Sequence, residues 1–356
     1  MNVLSVVGAR PQFVKSFPVS TALRESHEEV LVHTGQHYDE TMSDVFFREL
    51  PIPEPDHNLG VGSGPHAEQT AAMMTGLDEL VDEHEPDAVL VYGDTNSTLA
   101  GALVGAKRDT CLVHVEAGLR SHDRSMPEEV NRVLTDHAAD LLCTPSAQAD
   151  RTLDREHVAA RVRRTGDVMY DALLWVRDNA LSAVTILDDL EYDDGEYVLA
   201  TVHRAGNTDD RDRLAGIVEA ICDAPRPVVF PAHPRTVAAL ADAGLLADLD
   251  AAVDRIEPVG YLDFVRLLDG AERVATDSGG VQKEAFYLDT PCVTLREETE
   301  WPETVDAGWN VLVGADPAAI GDALRRTFVR EEKPRPYGDG DAARRIVEAL
   351  EAVVRA

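Results

Sequence analysis

The sequence predicts an α/β protein made of two doubly wound, Rossmann-like domains. Short apolar, β-rich runs alternate with helix-length segments along the whole chain. That alternation is the signature of parallel sheets covered by helices on both faces. The 356 residues exceed what one ordinary core accommodates. The loops richest in unusual polar residues follow strands, and open parallel sheets bind ligands beyond the carboxyl ends of their strands.

Residues 2–7 read as the first buried strand, and Gly8-Ala9-Arg10-Pro11-Gln12 turns it into a helix carrying Lys15. Residues 29–33 form the next strand, ending at Gly35-Gln36-His37. Residues 41–50 and 66–84 read as helices joined by a Pro/Gly-rich loop, 51–65. Residues 88–92 are a buried strand that stops at Gly93-Asp94-Thr95, and 97–107 are helical. Residues 111–115 are a second buried strand, stopping at Glu116-Ala117-Gly118. Pro127-Glu128-Glu129 opens a helix that runs to 139; Pro suits the first turn and carboxylates suit the dipole. Strands follow at 141–144 and 162–165, with Ser146 as an N-cap between them and a helix from about Met169.

Residues 181–196 are acidic and weakly patterned, and mark the region of the domain boundary, with 168–180 as the alternative connector. In the second half, strands at 197–201 and 228–230 lead to His203-Arg204 and His233-Pro234-Arg235. Those at 256–259, 273–276 and 292–295 lead to Gly260-Tyr261, Asp277-Ser278-Gly279-Gly280 and Arg296-Glu297-Glu298. Residues 327–341 are a charged connector, and 342–354 an amphipathic helix.

Charge excludes several functions. Asp and Glu total 65 against 33 Lys plus Arg, for a net charge of −32. The lysines are Lys15, Lys107, Lys283 and Lys333 alone. Such a surface repels nucleic acid and anionic membranes, and repels itself unless salt screens it. The composition therefore points to a salt-rich cytoplasm. No apolar run is long enough to span a bilayer, and Met1-Asn2 leads into a strand rather than a signal peptide. Cys111, Cys143, Cys222 and Cys292 are far apart, lack metal-site spacing and read as reduced core residues.

Chemistry concentrates at strand ends. Asp94 and Glu116 follow adjacent buried strands and should face one crevice, with Glu128 near the same rim. Clustered carboxylates raise one another's pKa, so one can be protonated while another is ionised. Ser278-Gly279-Gly280 lies between a strand and a helix, where free N–H groups and the dipole favour an anion. Arg10, Lys15, His203, Arg204, His233 and Arg235 add cationic partners at other strand ends. No GxGxxG follows the first strand, and no Walker A, HExxH or nucleophile-elbow pattern appears. A nucleoside diphosphate without a nicotinamide fits best, with both domains turned toward one cleft.

The stretches GARPQFVK, GDTNST, HVEAGLRS, MPEEVNR, GDVMYDAL, HR, HP and DSGGVQKEA together resemble the non-hydrolysing UDP-N-acetylglucosamine 2-epimerases, over nearly the whole chain. The resemblance implies a GT-B fold: residues 1–170 with a returning helix at 342–356, and a UDP-binding domain at 171–341. It implies interconversion of UDP-GlcNAc and UDP-ManNAc with no cofactor, neither NAD nor an obligatory metal. Asp94, Glu116 and Glu128 match the family's catalytic acids, and His203 its active-site histidine. Arg10, Lys15, Arg132, His233, Ser278, Gly279, Gly280 and Glu284 match positions around the UDP. Gln36 and His37 resemble part of the site where bacterial relatives bind a second UDP-GlcNAc as activator. Where many members have His-Arg-Arg-Glu-Asn, this chain has His203-Arg204-Ala205-Gly206-Asn207, which leaves that activation open. Where many have Arg-Pro-Glu, it has Trp301-Pro302-Glu303.

The leading expectation is a cytoplasmic epimerase of a halophilic archaeon, a homodimer that supplies UDP-ManNAc for surface glycans. Its rivals are a hydrolysing relative that releases UDP and ManNAc, a GT-B glycosyltransferase, and a nucleotide-sugar-binding protein without turnover. The three carboxylates argue against the last, because binding an anionic substrate needs no added acids.

Overall fold

A computed structural model describes residues 1–36, 50, 52–328 and 333–355, with the side chain of Arg10 left undescribed. The chain divides into two compact units, Met1–Trp175 with Arg335–Ala356, and Val176–Pro334. The division falls inside the helix Val168–Asn179.

The first unit holds β1 (Asn2–Val7), β2 (Glu28–His33), β3 (His57–Asn58), β4 (Ala88–Tyr92), β5 (Cys111–Val115), β6 (Leu141–Thr144) and β7 (Arg161–Arg164). They form one parallel sheet in the order β3-β2-β1-β4-β5-β6-β7. The central strands are buried almost throughout, as near-continuous apolar runs require when helices cover both faces. β7 reads Arg-Val-Arg-Arg and is mostly exposed; its charges blunt the sheet edge. Leu4, Val6, Val32, Val91 and Leu112 pack with Met73 and Leu77 of the helix His66–His84 and with Ala100 of the helix Asn96–Gly105. The C-terminal helix Ala342–Val354 buries Ile346, Val347 and Leu350 and packs on the helix Arg10–Arg24.

The second unit holds β8 (Val198–Thr201), β9 (Val228–Pro231), β10 (Asp254–Ile256), β11 (Arg273–Thr276), β12 (Cys292–Thr294) and β13 (Asn310–Leu312). These are also all parallel, in the order β10-β9-β8-β11-β12-β13. Val198, Ala200, Phe230, Ala275 and Val293 form its core with Leu214, Ile217 and Ile320. Strand order reverses between β1 and β4 in the first unit and between β8 and β11 in the second. These are the positions where doubly wound sheets open a crevice.

The differences from the expected elements are local. The loop 51–65 contains the two-residue β3, which pairs with β2. The strand expected at 256–259 lies at Asp254–Ile256, and the helix expected after Ser278-Gly279-Gly280 begins within that triplet, at Gly279. β13 and the helix Pro302–Asp306 were not foreseen; both are too short to show a period. Residues 181–196 hold a 3₁₀ turn, Leu181–Ala183, and the helix Ile186–Leu190. The helix expected at 41–50 lies, apart from Leu50, outside the described residues. Cys143 and Cys292 are buried as expected, while Cys111 and Cys222 are only half-buried. Among the described residues, no helix is long and apolar enough to cross a membrane.

Candidate active site

In the first unit, the loops leaving β1 and β4 are joined from within. A Cβ at Gly8 would collide with the hydroxyls of Ser97 and Thr34, which bond each other at 2.8 Å, so the close approach needs glycine. The buried Gln12 accepts the N–H groups of Gly8 and Ala9 at 2.8 and 3.0 Å. Its amide donates to the Tyr92 carbonyl at 2.7 Å and to Thr98 Oγ1 at 2.9 Å. One neutral side chain thus fixes the turn of Arg10 against the turn of Asp94. Arg10 is the first residue of its helix, and Lys15 lies farther along it.

Glu116, at the end of β5, has φ of 70°. A non-glycine residue in this left-handed region costs about 1–3 kcal/mol and needs surrounding structure to hold it. Its carboxylate pairs with the ammonium of Lys15. Both groups lie against the Gly93 turn, each 3.6 Å from where a Cβ of Gly93 would stand. The next residue, Asp94, pairs with Arg132 on the helix Pro127–Ala138. Asp94 and Glu116 therefore reach the same rim, as expected, but not as an unpartnered carboxylate cluster. Each faces its own cation.

Glu128 is exposed on that helix, whereas Glu129 is buried. Glu129 accepts from the N–H and hydroxyl of Ser121 at 2.8 and 3.0 Å and from the N–H of His122 at 3.0 Å. Arg132 Nη1 lies 3.5 Å away. Burial pushes the Glu129 carboxyl up, but the Ser121 and His122 donors and Arg132 outweigh it and hold it below its ordinary value. Asn131 donates to the Asp94 carbonyl at 3.0 Å. Gln36 caps the helix Asn96–Gly105: its Oε1 accepts from the N–H and hydroxyl of Ser97 at 3.0 and 2.7 Å. His37 lies outside the described residues.

In the second unit, Asp277 does for β8 and β11 what Gln12 does for β1 and β4. It is fully buried and accepts from the N–H groups of His203 (3.1 Å) and Arg204 (3.0 Å) and from Asn207 Nδ2 (3.1 Å). The half-exposed His203 ring places Nδ1 3.1 Å from Asp277 Oδ1. Burial raises the Asp277 carboxyl, and its donors, His203 first, outweigh that and hold it low. Ser278 donates its N–H to Thr276 Oγ1 at 3.0 Å, and the helix Gly279–Tyr287 begins with no side-chain cap. Its first N–H groups are suited to an anion. Beside Gly279, Arg296 grips Glu300 through two bonds of 2.9 Å, and Arg204 Nη2 is 3.7 Å from the same carboxylate. Glu284 is half-buried on this helix. His233 is exposed and caps the helix Pro234–Ala243, its Nδ1 accepting the Arg235 N–H at 3.2 Å. Arg235 is paired with Asp209 at 2.8 Å. Among the described residues, no group of three or more His, Cys, Asp and Glu side chains is arranged to hold a metal ion.

Residues 21–351 match the family profile described as UDP-N-acetylglucosamine 2-epimerase. The chain belongs to the UDP-N-acetylglucosamine 2-epimerase family. It is 47% identical to a UDP-N-acetylglucosamine 2-epimerase homolog of Methanococcus maripaludis, covering 98% of this chain and 99% of the relative. It is 44% identical to the UDP-2,3-diacetamido-2,3-dideoxy-D-glucuronate 2-epimerase of Pseudomonas aeruginosa, again over 98% of this chain and 99% of the relative. The crystal structure of the Methanocaldococcus jannaschii UDP-GlcNAc 2-epimerase, in complex with UDP-GlcNAc and UDP, superposes with a TM-score of 0.85. It shares 40% sequence identity and covers 99% of this chain and 100% of that one. The two Rossmann-like units are those of a GT-B fold, the fold of this epimerase family.

Sequence reasoning missed the residues that brace the candidate side chains: Gln12, Glu129 and Asn131 in the first unit, and Asp277, Arg296 and Glu300 in the second. The available signal was positional. Gln12 is a lone amide before the apolar pair Phe13-Val14, and Asp277 stands directly before Ser278-Gly279-Gly280.

Proposed function

We propose that the chain inverts C2 of UDP-GlcNAc to give UDP-ManNAc without hydrolysis, by elimination and re-addition of UDP. One observation carries this reading: the candidate residues gather where strand order reverses in each sheet. Acids with cation partners stand at one reversal, and a histidine, arginines and an uncapped helix start stand at the other. C2 is not next to a carbonyl, so loss of its proton is coupled to departure of UDP. One carboxylate among Asp94, Glu116 and Glu128 takes the C2 proton as the C1–O bond breaks, its electron pair leaving on UDP. The product of that step is a 2-acetamidoglucal. UDP then adds back at C1 while a proton is delivered to the opposite face of C2, so atoms and electrons balance without a redox carrier.

In this reading Lys15 and Arg132 orient the acids they pair with. His203 and the helix start at Ser278, Gly279 and Gly280 hold the departing diphosphate, which makes its return effectively intramolecular. Glu284 takes the ribose hydroxyls, and Arg10 and His233 complete the UDP contacts. Gln36 and His37 form part of an effector site; since Gln36 Oε1 already serves Ser97, a ligand there would meet its Nε2 or main chain. In this reading the enzyme is a cytoplasmic homodimer; light scattering in molar KCl tests the dimer.

The deciding experiment is UDP-GlcNAc alone in D₂O. UDP-ManNAc carrying deuterium at C2 is expected, with Asp94→Asn and Glu116→Gln slowing exchange and epimerisation together. Full retention of the original C2 hydrogen overturns the elimination route. Release of UDP and free ManNAc selects the hydrolysing reading, and reaction only with an acceptor selects a glycosyltransferase. The 44% identity to the P. aeruginosa enzyme favours a second substrate with the same C2 chemistry, a UDP-linked 2,3-diacetamido uronate. Comparing kcat/KM for the two nucleotide sugars separates them.

A further inference from the structure

Beneath the acid-bearing turns of the first unit lies a buried charged cluster to which no role has been given. His114 of β5 is fully buried. Its Nδ1 lies 2.7 Å from Asp136 Oδ1, and its Nε2 lies 2.7 Å from the carbonyl oxygen of Gly93. A carbonyl oxygen only accepts, so Nε2 donates. Asp136 accepts the Gly118 N–H at 3.1 Å and Arg120 Nη1 at 2.7 Å on its other oxygen; burial raises its carboxyl, and His114 and Arg120 outweigh that and hold it below its ordinary value. Arg120, itself almost fully buried, closes the cluster with a two-pronged contact to Glu156 at 2.9 and 2.6 Å.

Charge inside a parallel sheet is weak evidence for stability, because apolar residues of like volume often serve the fold as well or better. What apolar residues could not do is hold the two polar backbone groups this cluster holds. One is the carbonyl of Gly93, directly before Asp94. The other is the N–H of Gly118, two residues after the strained Glu116. We propose that His114, with Asp136 and Arg120, is a positioning residue for inversion at C2, clamping the Asp94 and Glu116 turns to one another from beneath. The inference rests on the acid roles given under Proposed function.

The test uses the two halves of the histidine. His114→Asn keeps a donor where Nδ1 stood and releases Gly93, whereas His114→Gln keeps one where Nε2 stood and releases Asp136. Each should lower kcat on the order of 100-fold, the scale of a misplacement of about 1 Å. KM should stay within about three-fold, and UDP affinity within about two-fold, since neither variant touches the ligand. A merely structural role would instead lower the melting temperature and leave kcat per folded molecule unchanged, which overturns the proposal. Loss of kcat together with UDP affinity also overturns it. Where neither variant folds, Glu156→Gln at the half-exposed end of the cluster should still cut kcat about five-fold at constant KM; unchanged kcat there is equally fatal. A wild-type chain that inverts neither nucleotide sugar refutes the acid roles as well. A wild type that inverts alongside equally active variants refutes this inference alone.

Discussion

Asp171→Asn should stabilise the first unit, and by more as the pH rises through 6. Asp171 accepts the Ala343 N–H at 2.7 Å, at the start of the returning C-terminal helix. Its other oxygen, Oδ1, is buried and meets no hydrogen-bond partner among the described residues. Burial pushes the carboxyl from 3.8 up to about 6; the amides of Ala343 and Ala342 pull it back, and Asp167 and Asp341 push it further. Between those two values the native state keeps a proton that the unfolded chain has released. The stability from this group is therefore fully present below the unfolded pKa, near 4, and is lost as the pH rises through about 6. The shift corresponds to roughly 3 kcal/mol, or about 6–12 °C in Tm for a unit of this size. Asparagine keeps the carbonyl acceptor and carries no charge, so it escapes the loss. Urea unfolding of both proteins from about pH 5 to about pH 8 in molar KCl measures this directly. Other titrating groups cancel in the difference, which should move toward the variant by about 1–3 kcal/mol and level off above about pH 7. A difference that stays flat, or moves toward wild type, refutes the reasoning.

Other outcomes follow from the same geometry. With a net charge of −32, the melting temperature should rise steeply from dilute buffer to molar KCl, where the Debye length is about 3 Å; a melt insensitive to KCl removes the argument. Asp277, held below its ordinary value, contributes stability that is present above about pH 4 and lost below it. Asp277→Asn should flatten that acid limb and lower UDP affinity through the displaced His203 loop, as calorimetry would read. In the proposed UDP site Glu300 would compete with phosphate oxygens for Arg296 and Arg204, both of which it faces, so Glu300→Gln should tighten UDP several-fold; equal or weaker binding contradicts it. Burial pushes the Cys143 and Cys292 thiols up to about 12. Both should resist a maleimide in the native protein and react once it is unfolded.

Much of the fold was legible because buried parallel strands are the strongest pattern such a chain offers. Ala88–Tyr92 and Cys111–Val115 are five-residue apolar runs bounded by turns, and both are found at those bounds. The missed elements are short and half-polar. β13 is three residues, Asn310–Leu312, and its place in the sheet comes from pairing with β12 rather than from its own composition. At the candidate site, the acids and cations at strand ends were legible in the sequence. Their supports were not. Gln12 meets Thr98 across 86 residues and Asp277 meets His203 across 74, and no local pattern encodes a bond of that span.

The helix Pro127–Ala138 shows why a periodic reading fails where function is densest. Its apolar residues Val130 and Leu134 are 36% and 48% exposed, while Glu129, Asn131, Thr135 and Asp136 are buried. The usual amphipathic order is inverted. Successive helical residues stand about 100° apart, so Glu128 and Glu129, identical in type, are sent to solvent and interior respectively. Three groups of the buried polar face are matched: Glu129 by the Ser121–His122 turn, Asn131 by the Asp94 carbonyl, Asp136 by His114, Gly118 and Arg120; the Thr135 hydroxyl meets no partner among the described residues. Burying a helix on its polar side costs free energy that its hydrogen-bond partners must offset. Here the partners are the very loops that carry Asp94 and Glu116. The inversion is thus the structural form of a demand placed by the acid-bearing turns. A search for apolar stripes sets Glu129 and Asp136 aside as solvated acids, although both are buried supports of the acid-bearing turns.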